Sequence, residues 1–73
     1  MNRLEYAAYQ GEKLGREHTF HKNVLGEPYR KMDRWQAFCH FAGQLAVSDI
    51  DSMTKKETNM CNAFADRYIL AYG

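Results

Sequence analysis

The chain has 73 residues, ten Lys or Arg against nine Asp or Glu, and a net charge of +1. That length makes a single domain, residues 1–73, near the lower limit for a chain that folds on its own core. The charge balance lacks the basic excess of a dedicated nucleic-acid binder, and no apolar run approaches the roughly 18–20 residues that span a bilayer.

Two cysteines, Cys39 and Cys61, allow one disulfide, but their spacing is not that of a disulfide framework. The N-terminus is polar and charged, without the pattern of a signal peptide. Both thiols are therefore expected to be reduced, in a cytoplasmic protein. Ten aromatic residues with little net charge argue for order, because disordered chains combine few aromatics with high net charge.

Asn2 to Glu17 reads as a first helix, at about residues 2–16. Leu4, Ala7, Ala8, Gly11, Leu14 and Gly15 share one side. Asn2 is a suitable N-cap, with Glu5 three residues on. Glycine inside a helix costs roughly 1 kcal/mol relative to Ala, so Ala7, Gly11 and Gly15 at four-residue spacing predict a groove against which another helix lies closely; the alternative is that the helix simply ends at Gly15.

His18 to Glu27 reads as a loop, with Phe20, Val24 and Leu25 as apolar pegs packed down on the core. Next comes the most apolar periodic stretch, Pro28 to Val47. Tyr29, Met32, Trp35, Phe38, Ala42 and Leu45 recur at three-and-four spacing. Pro28 suits a first helical position. The pattern predicts a helix at about 28–48 that contacts both others as the central beam, with Trp35 in the core.

Asp49, Asp51 and Ser52 supply turn chemistry. Thr54 and Glu57 form a capping-box pattern, with Met53 just ahead as a hydrophobic staple candidate, and open a third helix at about 54–71. Its apolar face is Met60, Cys61, Phe64, Tyr68 and Ala71. The fold class is all-α, a three-helix domain.

No catalytic constellation stands out. Cys39 and His40 are adjacent, and neighbours on a helix do not face each other. His18 and His21 form one loose pair, without the second pair a structural zinc site uses. The Asp49–Ser52 stretch lacks the glycine of a calcium loop and has Met60 where the bidentate Glu belongs. The expectation is a protein with no enzymatic activity, metal or cofactor.

Two groups of residues are candidates for binding. Tyr68, Ile69, Leu70, Ala71 and Tyr72 form an apolar C-terminal tip that one helix face does not bury. Either this tip folds back into a pocket or it forms an interface; the interface is favoured, with Tyr68, Ile69 and Tyr72 contacting a larger protein or a second copy of the chain. Lys22, Arg30, Lys31 and Arg34 lie near Tyr29 and Trp35 as a basic–aromatic cluster of the kind that holds phosphates and unpaired bases.

Tyr9-Gln10, Gly15-Arg16, Pro28-Tyr29, and Arg34-Trp35 with Phe38 resemble the ribosome modulation factor family over roughly residues 8–40. The resemblance implies a helix–loop–helix pattern, binding to the small ribosomal subunit and promotion of inactive ribosome dimers. The size and style of the chain also resemble small phage and mobile-element proteins that block a host machine. The favoured functional expectation is a non-enzymatic protein that docks on a larger protein or ribonucleoprotein as an inhibitor. The alternative is a ribosome or RNA binder.

Overall fold

A computed structural model describes residues 2–26 and 31–73. It is all-α, with helices α1 (Arg3–Leu25), α2 (Arg34–Gln44) and α3 (Lys55–Ala71), and a short 3-10 turn at Ile50–Ser52. No strand occurs among the described residues.

The first helix starts where the sequence puts it. Asn2 Oδ1 accepts the Glu5 N–H at 2.8 Å, satisfying one of the unpaired donors of the first turn. It runs well past the expected end, so the predicted loop from His18 is helical through Leu25. The stop is Gly26, in the left-handed region at φ 65°, the conformation glycine adopts without steric cost. Gly15 does not break the helix because it is a packing surface.

The middle helix is shorter than expected at both ends. Its N-cap is Asp33, whose Oδ1 accepts the Gln36 N–H at 2.8 Å while Gln36 Oε1 accepts the Asp33 N–H at 2.9 Å. This capping box starts the helix at Arg34. The proposed N-terminal role of Pro28, and Tyr29 with it, lies outside the described residues. At the far end Val47 N–H bonds Ala42 O and Ala46 N–H bonds Gly43 O, both at 3.1 Å. That is the Schellman arrangement, and it places Ala46 at φ 61°.

The third helix opens on the expected box. Glu57 N–H donates to Thr54 Oγ1 and Thr54 N–H to Glu57 Oε1. Asp49 caps the preceding turn, accepting from Asp51 N–H and the Ser52 hydroxyl. Met53 packs against the core.

The central beam is α3, not α2. Residues of α1 and α3 meet in ascending order, Gly11 at Phe64, Gly15 at Tyr68 and Ala71, and Thr19 at Gly73, so the two helices run parallel. A Cβ at Gly11 would overlap the Phe64 carbonyl oxygen, and one at Gly15 would lie 2.9 Å from both Tyr68 O and Ala71 Cβ. The groove predicted from Ala7, Gly11 and Gly15 is therefore real, and all three residues are buried.

The start of α2 is tied to α3 by the Arg34–Asp66 ion pair. Its last residue, Gln44, lines a groove with Gln10, Lys13, Leu14 and Glu17 of α1. The core between the helices is Ala7, Ala37, Phe41, Ala42, Met60, Cys61, Phe64, Ala65 and Tyr68. Phe41 stacks on Phe64 at 4.8 Å. Trp35 is not part of it and stands 60% exposed. The short α2 buries Ala37, Phe41 and Ala42, and Trp35, in its first turn, falls on the flank of that face.

Candidate functional site

Met32 and Tyr68 fix the geometry around the C-terminal tip. The Tyr68 ring is fully buried. Its hydroxyl oxygen accepts the Met32 N–H at 3.1 Å and lies 2.7 Å from His18 Nδ1. With the backbone N–H as donor to the phenol, the matching arrangement has the phenol O–H donating to a neutral His18. Burial lowers the His18 pKa from 6.5, with Glu17 opposing and His40 and His21 adding to the shift. No buried side-chain nitrogen or oxygen among the described residues lacks a hydrogen-bond partner.

That network changes the reading of the tip. Tyr68, predicted to contact a partner, is core. Its position on α3 faces both α1 and the segment leading into α2, so the apolar run divides between inside and outside. Ile69 and Tyr72 are half-buried against the core, and Leu70 is 77% exposed.

Tyr72 is where the two candidate groups meet. Lys22 Nζ lies 5.0 Å from the centre of its ring and Lys31 Nζ 5.6 Å, both within cation–π range. The third basic candidate, Arg34, is bound to Asp66. Arg30 lies outside the described residues.

From Lys31 onward the chain runs back along α3. Lys31 is at Tyr72, Met32 at Tyr68, Arg34 at Asp66, and Trp35 and Phe38 share a groove of about 330 Å³ with Arg34 and Asn62. The result is one continuous strip. Cations over an aromatic ring form one end. An exposed tryptophan stacked on Phe38, with ring centres 5.6 Å apart and planes 11° apart, forms the other.

The sequence singles out Lys22, Lys31, Arg34, Ile69 and Tyr72 but puts Trp35 inside, whereas Phe38 packs partly buried against the core as its position on the apolar face predicts. The signal that exposes Trp35 is Asp33-Arg34-Trp35-Gln36. Read as a capping box, it starts the helix at Arg34 and leaves Trp35 in the first turn, too early to belong to a long buried stripe.

The nucleophile candidates are poorly placed for catalysis. Cys61 is fully buried, and burial, with smaller contributions from Glu57 and Cys39, raises its pKa to about 11. A thiol so shifted is not a thiolate near neutral pH. Cys39 is half-buried, and both cysteines are free. His40 stacks on Phe64 at 5.7 Å and pairs with Gln44 through Nε2 at 3.2 Å. Among the described residues no three His, Cys, Asp or Glu side chains are grouped to hold a metal. No helix among them is long and apolar enough to cross a membrane. Comparison of the chain with protein-family models, curated proteins and solved structures finds no match.

Proposed function

We propose that this chain is a small non-enzymatic binding protein that docks on a larger protein or ribonucleoprotein and inhibits it, using the strip from Tyr72 to Trp35 as its contact surface. The observation that carries the reading is Trp35, the only tryptophan, held on the surface by stacking on Phe38 beside Arg34. Trp, Tyr and Arg dominate the energetics of protein interfaces. A rigid stacked pair also loses little conformational entropy on docking.

A second reading is favoured by the same strip. Stacked aromatics next to Arg34, Lys31 and Lys22 suit unpaired bases and phosphates, and the resemblance to the ribosome modulation factor family points the same way. The protein reading ranks first because Arg34 is already neutralised by Asp66 and the net charge is only +1.

The experiment is capture from a bacterial lysate by the immobilised chain and by Trp35→Ala, with and without nuclease and across salt concentrations. The proposal expects a partner captured by the wild type, released by Trp35→Ala and insensitive to nuclease. Capture that disappears with nuclease and weakens steeply with salt would select the RNA reading. Equal capture by wild type and Trp35→Ala would refute the strip as the contact surface.

A further inference from the structure

α1 carries a second periodic stripe, centred on the side turned away from α3 and flanked at Lys13 and Glu17 by Gln44 at the end of α2. Tyr6, Tyr9, Lys13, Glu17, Phe20 and Val24 recur at three-and-four spacing, the period that keeps residues on one face of an α-helix. All six are exposed.

The stripe is symmetric about position 15. Tyr6 and Val24 lie nine residues to either side, Lys13 and Glu17 two to either side, and Tyr9 mirrors His21, next to Phe20. An antiparallel copy of α1 would therefore set Tyr6 against Val24 at both ends, with Phe20 beside the Tyr9–His21 pair. At the centre Lys13 would face Glu17 of the other copy, twice by symmetry. A parallel, in-register copy would set Lys13 against Lys13 and Glu17 against Glu17. The ion pair on this helix is Arg16–Glu12 at 3.0 Å, which leaves Lys13 and Glu17 without an ion pair among the described residues.

From this pattern we infer that α1 is a homodimerisation helix, pairing antiparallel with a second copy across a two-fold axis near residue 15. The occupant is chosen by charge: a self-complementary Lys–Glu centre between apolar ends fits this same surface rotated by 180°. It lies on a different helix face from the Trp35 strip and does not depend on that reading.

Sedimentation across a concentration series tests it. The wild type should move toward twice the 8.5 kDa chain mass as concentration rises. Lys13→Glu places like charges opposite each other at both central positions and should weaken dimerisation about tenfold or more. Lys13→Glu combined with Glu17→Lys should restore it, which a merely damaged helix would not do. Val24→Ser should weaken the dimer with no loss of helical circular dichroism, since that side chain is 63% exposed in the monomer. A wild type that stays monomeric at high concentration would overturn the inference and leave the stripe to a foreign helix. So would a dimer indifferent to Lys13→Glu.

Discussion

Inside the core, the Tyr68 hydroxyl serves two neighbours at once. It accepts from Met32 N–H and meets His18 Nδ1, so protonating His18 would turn an acceptor into a donor and break the relay. The folded pKa of His18 is lowered, first by burial, so the unfolded chain binds that proton more readily. The associated stability is fully present above the unfolded value of 6.5 and is lost as pH falls through the folded pKa. In thermal melts, wild type and His18→Gln should run parallel above pH 6.5. Below it the wild type should lose melting temperature relative to the variant, whose amide does not titrate. Curves that stay parallel down to pH 5 would contradict the relay.

Ala46 is a second residue with a legible cost. It occupies the left-handed region at φ 61° to complete the Schellman turn, where an L side chain crowds its own backbone by roughly 1–2 kcal/mol. Glycine removes the crowding but gives the unfolded chain more freedom. Ala46→Gly should therefore stabilise by about 0.5–1 kcal/mol, read from the denaturant midpoint. A lower midpoint would show that the methyl group makes a compensating contact.

At the scale of elements, the α1–α3 seam is the most constrained part of the molecule. An exposed helical Gly→Ala change gains about 1 kcal/mol. At Gly11 the added Cβ would meet the Phe64 backbone, which has no rotamer to yield, and overpacking typically costs about 1–3 kcal/mol. Gly11→Ala is expected to destabilise by about 2 kcal/mol, while Gly43→Ala, with open space around it, should not. Equal melts for the two variants would mean that the helices do not approach closely at Gly11.

This seam is legible in the sequence because small residues repeating every four positions align along one side of a helix, and the glycines cost helix stability unless a close neighbour fills the groove they leave. The start of α3 is legible too, where Thr54 and Glu57 have a defined hydrogen-bonding job. The length of α1 is not. Gly26 stops it, the role that the alternative reading gives Gly15, and only the neighbouring helix distinguishes a glycine that packs from one that caps. The identity of the central helix is hidden for a similar reason. Apolar content points to the Trp35 stretch, but α2 fully buries only Ala37, Phe41 and Ala42, whereas α3 uses Met60, Cys61, Phe64, Ala65 and Tyr68 in a denser inward stripe. The proposed contact strip is half legible. Its cations and Tyr72 stand out in the sequence, while its tryptophan reads as core because exposed and buried aromatics share one periodicity.

For the whole molecule, shape and exposed apolar surface are connected. Its principal extents are 39 × 25 × 16 Å and its radius of gyration is 12.5 Å, against about 11 Å for a compact domain of this length. A thin, elongated domain covers less of its apolar surface. Leu4, Tyr6, Tyr9, Phe20, Val24, Leu25, Trp35 and Leu70 all remain exposed. A core this small supplies only about 3–5 kcal/mol, so each aromatic left outside is stability forgone, which makes sense where the surface has work to do. If Trp35 is such a residue, its removal should leave folding nearly intact. Trp35→Ala should melt cooperatively within a few degrees of the wild type, whereas truncating a buried tryptophan would remove about 3–5 kcal/mol and unfold the domain.

The central claim is that Trp35 stands on the surface of the free chain and becomes covered by its partner. Because it is the only tryptophan of the chain, a red-excited tryptophan analogue incorporated in its place reports on that position alone, even beside a partner's own tryptophans. The direct measurement is acrylamide quenching of the analogue's selectively excited emission in the free chain, in the denaturant-unfolded chain, and in the complex with the captured partner. The account predicts quenching in the free chain close to that of the unfolded chain, falling sharply in the complex. A tryptophan already protected in the free chain, or one equally quenched when the partner is bound, would contradict it.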